Sequence, residues 1–376
     1  MNINLIKKID YHIGFALILA LWPINFFINK LIKVCPISFF KKKITFIKIV
    51  GGGSLLIAAP SIYAIKKQYP KYKICLLCSR AVAPFARSLN IFDEINIISL
   101  QNPIVFLISL LKGFFKIVFS SFIINHETHS KLASLLALYT LSKDRVGIYL
   151  NYNKWQSNLI NNPIFMNIYH PIYDGYTSIA YALKCQNVSF EKMQTHFKIS
   201  NRLSNPTTKN NYVVIAPFCS DIYIERELNS YQIKKIISKL KHPKNTKYLL
   251  LGGNSDLDKS KKIELELTSY NLKNRVGNTS IQEVIDVLSH AKLLITIDSG
   301  LLHLARLIGI KTLSYWGPSD PSLRLFGSLS HDTAIYNRIS CSPCVHILDK
   351  APCSGENLCI KQYFEPIPKK IFWKIQ

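Results

Sequence analysis

Residues 292–325, KLLITIDSGLLHLARLIGIKTLSYWGPSDPSLRL, leave the chain few architectures to choose from. LLITI is a short β-branched apolar run, as in a strand buried on both faces of a parallel sheet. Asp298-Ser299-Gly300 turns the chain, LLHLARL carries apolar residues at helical spacing, and Gly309 ends the helix. KTLSYW makes a second strand that runs into Gly317-Pro318-Ser319-Asp320-Pro321. This is one βαβ unit, with a polar turn at the carboxyl end of a strand, where open α/β sheets hold ligands. The turn predicts free amides of Ser299, Gly300 and Leu301 at a helix amino terminus that favours a phosphate, with His303 as a further donor. A plain βα turn, with Ser299 or Asp298 as N-cap and His303 buried, also accounts for these residues taken alone.

The same pattern starts the chain's first half. ITFIKIV from Ile44 reads as a strand, Gly51-Gly52-Gly53-Ser54 as a turn, LLIAAPSIYAIKKQYP as a helix and YKICLLC as the next strand. A dinucleotide fingerprint G-x-G-x-x-G is absent. FDEINIISL approaches as a strand, and NPIVFLISLLKGFFKIVFSSFIIN reads as a helix followed by the buried strand FKIVFSSFII. Polar residues then bunch at a strand end, Asn125-His126-Glu127-Thr128-His129-Ser130, before the helix KLASLLALYTLS. Beyond the strand DRVGIYL, a Tyr- and Asn-rich stretch with His170 and Asp174 offers hydrogen bonds and aromatic faces to a saccharide, or is a polar connection. SNRLSNPTTKNN reads as a linker. YVVIAPF, KYLLLGG and LLITI then supply a second set of strands.

The run D-S-G-x-x-H-x-A followed by G-P-x-D-P closely resembles the donor-binding signature of family 9 glycosyltransferases, the group of the lipopolysaccharide heptosyltransferases. The resemblance implies a GT-B fold, α/β, with two Rossmann-like βαβ domains facing a cleft: 44–200 on the acceptor side and 212–335 on the nucleotide-sugar side, joined by 201–211. It implies that Asp298, Ser299, Gly300 and His303 hold the diphosphate of a sugar nucleotide, that Ser220 and Arg226 assist, and that Asp256 reaches the ribose. Residues 277–279 would lie near the base. Gly53-Ser54-x5-Pro60 resembles the family's first turn, where many members carry an Asp proposed as the catalytic base. Ser54 stands there instead, and a serine at its ordinary pKa cannot accept the proton. The polar strand end is the natural seat of a replacement, Glu127 first, then His126 and His129. Helix capping by Thr128 or Ser130, with Glu127 as dipole partner, is the other account of that cluster. The implied reaction is inverting sugar transfer needing no cofactor, with ADP-heptose the favoured donor and a lipid-linked, lipopolysaccharide-core-like saccharide the acceptor. A catalytically degenerate, membrane-associated nucleotide-sugar-binding protein is the competing expectation, kept alive by Ser54.

With 376 residues the chain has room for two ordinary domains, and 47 Lys and Arg against 22 Asp and Glu give a formal charge of +25. No helix-turn-helix, RNP-like or zinc-finger spacing accompanies that charge, which argues against nucleic acid and for an anionic membrane surface or acidic substrate. Within the apolar segment 1–43, residues 13–32 are nearly long enough to span a bilayer, but Pro23, Asn25, Asn29 and Lys30 weaken the second half. Basic flanks with Trp22 and several Phe suit a segment lying in an anionic leaflet, against a transmembrane helix or one packed on the domain. The expected place is cytoplasmic, on the inner face of the inner membrane. In the tail, 336–376, Cys341-x2-Cys344-x8-Cys353-x5-Cys359 has ligand spacing for a structural zinc, or staples a loop.

Overall fold

Apolar runs punctuated by Gly, Pro and polar residues become strands here, covered by helices on both faces. The computed structural model describes residues 3–150, 159–203, 212–219, 224–240, 245–327, 331–345, 347–348, 351–353 and 356–364. The chain divides into two units, Met1–Met193 and Gln194–Gln376. In the first, α1 (Ile3–Ala20) and α2 (Trp22–Val34) precede β1 (Lys41–Lys48), α3 (Gly52–Gln68), β2 (Lys73–Ser79), α4 (Ala83–Leu89) and β3 (Glu94–Ile98). Then come α5 (Pro103–Ile117), β4 (Ser120–Asn125), α6 (Lys131–Tyr139), β5 (Asp144–Tyr149), β6 (Asn162–Phe165), α7 (Ile172–Ala182) and α8 (Phe190–Ser200). The division falls within α8; of the expected linker 201–211, residues 204–211 lie outside those described.

The second unit runs β7 (Tyr212–Ala216), α9 (Ser230–Lys239), β8 (Lys247–Leu250), α10 (Leu257–Glu266), β9 (Leu272–Asn274), α11 (Ile281–His290) and β10 (Leu293–Ile297). It continues with α12 (Gly300–Ile308), β11 (Thr312–Trp316), α13 (Pro321–Arg324), β12 (Asp332–Tyr336) and α14 (Leu358–Lys361). Among the described residues each unit builds a six-stranded sheet, in the order β3-β2-β1-β4-β5-β6 and β9-β8-β7-β10-β11-β12. Every strand pair is parallel. Both orders are those of the Rossmann fold, which reverse direction between the first strand and the fourth. That reversal opens a crevice beyond the carboxyl ends of β1 and β4, and another beyond β7 and β10.

Four expectations need correction. Segment 13–32 is two helices bent by 69°, because Pro23 lacks an amide and starts a new first turn after Leu21. Among the described residues no single helix is long and apolar enough to cross a membrane. The strand FKIVFSSFII begins only at Ser120, since α5 runs on to Ile117 and Phe119 takes a φ of 62°. The Tyr-rich stretch is not a plain connection but supplies β6 and α7; Tyr173 and Tyr176 are buried, while Tyr169, His170, Asp174 and Tyr181 remain exposed. The tail does not stand apart: Cys359 and Ile360 share the core of the second unit with Ile215 and Ile297.

Candidate active site

In the second unit the site grows from the β7/β10 reversal. β10 ends at Ile297, Asp298 follows, and Ser299 occupies the N-cap of α12 with extended backbone. Its hydroxyl makes no capping bond but lies 3.4 Å from the Thr296 hydroxyl. Among the described residues no side-chain capping bond from Ser299 reaches the first amides of α12, while His303 is buried, as the plain-turn account expects. Gly309 closes the helix in the left-handed region (φ 84°), with its amide on the Ala305 carbonyl. The 3-10 turn Ile224–Arg226, after β7, sends Arg226 to Asp298: Nη1 donates to the Asp298 carbonyl at 2.7 Å and lies 3.3 Å from Oδ2. His303 Nε2 stands 3.7 Å from Asp298 Oδ1; Asp298 and His303 are buried and Arg226 is partly buried.

Burial opposes charge on Asp298, but His303 and the Arg226 guanidinium outweigh it and hold the carboxyl far below its ordinary range. Burial also pushes His303 down, against the pull of Asp298. An ionised Asp298 thus aligns Arg226 and His303 beside the open end of α12. Amide hydrogens, a guanidinium and an imidazole converge there, a set of donors suited to an anion.

Asp256 is buried at the end of β8 in a 3-10 turn, its Oδ2 accepting from the Gly253 amide at 2.8 Å. Gly277 (φ 71°) closes beside it, its amide on the Gly252 carbonyl. Ser220 lies outside the described residues. The G-P-x-D-P motif has a structural reason that sequence did not show. A Cβ on Gly317 would stand 2.6 Å from the Cys359 sulfur, the Pro318 carbonyl accepts from the Cys344 and Val345 amides, and Asp320 caps α13.

Cys341, Cys344, Cys353 and Cys359 line one small hollow with Glu225, Pro318 and Ile339. All are free thiols; burial raises Cys344 to about 11 and Cys359 to about 12. As placed, no three Cys, His, Asp or Glu side chains among the described residues are set to hold one metal ion.

In the first unit Glu127 sits at the β1/β4 reversal. Its Oε1 accepts from the Ile49 and Val50 amides at 2.6 and 2.8 Å, and Lys48 Nζ is 3.6 Å away. It therefore braces the loop that carries Gly51 (φ 88°) and leads into α3, in whose first turn the Ser54 hydroxyl donates to the Gly51 carbonyl at 2.8 Å. Capping of α6 falls to Ser130 and to Asp10 of α1, which accepts from the Ser130 hydroxyl and the Lys131 and Leu132 amides. The dipole-partner account of Glu127 is thereby corrected. His129 is exposed. Sequence reasoning passed over Lys48, the lone charge in ITFIKIV, and Asp10, the one acidic residue of α1.

His126 is enclosed, its ring against Phe46 and Tyr176 and neither nitrogen hydrogen-bonded. Burial lowers it to about 3, so it is neutral at working pH, and its sealed nitrogens cannot take a proton from an acceptor. Its folded value lies below its ordinary one, so folding loses stability as pH falls below about 6.5. Between pH 6.5 and 5 this costs about 2 kcal/mol. Urea titrations should show His126→Phe losing about that much less than the parent over this window; parallel curves would contradict the assignment.

A family model described as "Glycosyltransferase family 9 (heptosyltransferase)" matches residues 122–354, more than half of the chain. The E. coli ADP-heptose lps heptosyltransferase II is similar in fold, with a TM-score of 0.60 at 16% identity, covering 85% of this chain and 99% of that one. The E. coli heptosyltransferase WaaC with ADP-2-deoxy-2-fluoro heptose gives a TM-score of 0.62 at 12% identity, with coverage of 78% and 93%. The glycosyl transferase family 9 protein from Veillonella parvula DSM 2008 gives 0.59 at 15% identity, with coverage of 80% and 87%. No match was found among curated proteins. Two Rossmann units of GT-B type, the open amino terminus of α12 at a sheet reversal and a family match across both units lead to one conclusion: the chain belongs to glycosyltransferase family 9, the heptosyltransferase family, and is a glycosyltransferase.

Proposed function

We propose that this protein is an inverting glycosyltransferase that moves a sugar, with ADP-heptose the favoured donor, onto a lipid-linked saccharide of lipopolysaccharide-core type. The observation that carries the donor half is the convergence of Arg226, His303 and the uncapped first turn of α12. The second unit takes the sugar nucleotide and the first the acceptor. An acceptor hydroxyl loses its proton to a base and attacks the anomeric carbon opposite the diphosphate. As that bond breaks, negative charge grows on the diphosphate and is met by the α12 amides, Arg226 and His303. Glu127 is the proposed base, since Oε2 has no hydrogen-bond partner among the described residues. ADP-heptose is favoured because the similar heptosyltransferases named above carry it, or its fluoro analogue, in their descriptions.

A thermal-shift panel of ADP-, UDP-, GDP- and CMP-sugars tests the donor. An ADP-sugar at about a hundred times its Kd should add about 2.7 kcal/mol of stability, and the others nothing comparable. A panel flat throughout would overturn this part of the proposal. The proposed station is the cytoplasmic face of the inner membrane, supported by exposed Trp22, Ile24, Phe26, Phe27 and Leu31 on α2.

A structural zinc in the tail rests on the donor set alone, four thiols on one hollow. Purified protein should then carry about one zinc per chain and lose thermal stability on chelation; metal-free protein of unchanged stability would remove the zinc. A catalytically degenerate binding protein is favoured by Ser54 alone, and would bind an ADP-sugar without turnover.

A further inference from the structure

We propose that α5 is a second lipid-facing element, distinct from the α1–α2 pair, so that the first unit rests on an anionic bilayer at two places. The inference rests on the membrane association proposed above and extends it to a helix with no part in donor or acceptor chemistry.

A helix on the face of a soluble sheet turns apolar residues inward and polar ones out. In the second unit α9 obeys, burying Ile233, Ile236 and Ile237 while Lys234, Lys235 and Ser238 face out. On α5 the inward positions are filled normally by Phe106, Leu110, Gly113 and Ile117. The outward face, however, carries Ile104 (72% exposed), Leu107, Ile108, Leu111 and Phe115 (68% exposed) in one stripe at helical spacing. Its charges are Lys112 and Lys116, and α5 contains no acidic residue. An apolar stripe flanked by lysines is complementary to acyl chains beneath anionic headgroups.

The stripe is also continuous with the amino-terminal segment. Just beyond α5, the Phe119 ring packs 4.8 Å from that of Phe39, and the Phe119 carbonyl accepts from the Lys41 amide. Lys43 Nζ donates to the Lys116 carbonyl at 3.1 Å. Ile37 and Phe39 are themselves exposed. On α2 the inward face takes Asn25 and Asn29, Asn29 meeting the buried Arg145, together with Ile28 and Ile32, while Phe27 is left 69% exposed. A two-fold contact between copies of this chain would join two faces that each carry Lys112 and Lys116 and no α5 carboxylate to answer them, so a bilayer is the better occupant.

The test is co-sedimentation of the full chain with vesicles of phosphatidylcholine containing about 30% phosphatidylglycerol, and with phosphatidylcholine alone. The parent should bind the anionic vesicles, and Leu107→Glu/Leu111→Glu should bind at least about tenfold more weakly with an unchanged melting temperature. Lys112→Ala/Lys116→Ala, which leaves the apolar stripe intact, should lose the preference for anionic lipid. If the Leu107→Glu/Leu111→Glu variant binds like the parent while Phe26→Glu/Phe27→Glu does not, α5 is not a lipid contact although the membrane station stands. A parent that ignores both vesicle types overturns the membrane station itself. A parent that is dimeric in solution, and made monomeric by the α5 substitutions, gives the face to a second copy and overturns the inference.

Discussion

Replacing Arg226 with alanine is expected to reduce sugar transfer by about a hundred- to a thousandfold and to destabilise the second unit by about 3 kcal/mol. Both effects have one origin. Asp298 is buried and ionised, and its charge is tolerated because Arg226 and His303 face it. Without the guanidinium a buried carboxylate keeps His303 but loses its salt-bridged arginine, and α12 loses the cation beside its open amides. The Asp298 carboxyl is held below its ordinary value, so its stabilising contribution is complete above about pH 4 and fades as pH falls through the folded value. Arg226→Ala should therefore flatten the acid limb of the stability profile as well as lower the plateau. Arg226→Lys keeps the charge but not the fork that reaches carbonyl and carboxylate together, and should fall between. Denaturant titration and kcat/KM with an ADP-sugar are the two measurements. An alanine variant within fivefold of the parent in turnover would remove Arg226 from the donor site.

What sequence could supply here was local. LLITI, the DSG turn and Gly309 are contiguous, and apolar periodicity plus one glycine fix strand, turn and helix end without help from elsewhere. The Arg226–Asp298 contact joins residues 72 apart and the Glu127–Ile49 contact residues 78 apart. Only the strand order makes such pairs neighbours, and spacing carries no trace of it. The family resemblance nominated most of the donor-side residues; the sheet reversals explain why they meet. Burial was least legible. The Asn25 and Asn29 positions read as interruptions of an apolar span, whereas they face inward beside Ile28 and Ile32 while Trp22, Phe26 and Phe27 face out. His126 read as a polar neighbour of Glu127, yet strand alternation drives its ring into the core beside Tyr176. The Gly317 requirement came from a sulfur 42 residues later.

The decisive first-unit variant is Glu127→Gln, expected to lose about two to four orders of magnitude in turnover while still binding the ADP-sugar. Glutamine keeps an oxygen that can accept from the Ile49 and Val50 amides, so the loop leading to Ser54 stays braced; what disappears is the carboxylate. Glu127→Ala removes brace and base together and should lower stability as well, because two amides lose their acceptor. Comparing the two separates chemistry from support: full turnover in the glutamine variant makes Glu127 a brace and puts the base elsewhere. The rescue experiment goes further. Ser54 lies in the first turn of α3, just after the braced loop, and Gly51, whose carbonyl its hydroxyl holds, would place a Cβ 3.9 Å from Lys48 Nζ. An aspartate in place of Ser54 would put a carboxylate beside that loop, on the side of that ammonium. Ser54→Asp in the Glu127→Gln background should therefore recover part of the lost rate if the loop faces the acceptor hydroxyl. No recovery, beside a parent that binds donor and never turns over, would make this chain a binding protein that has lost its base.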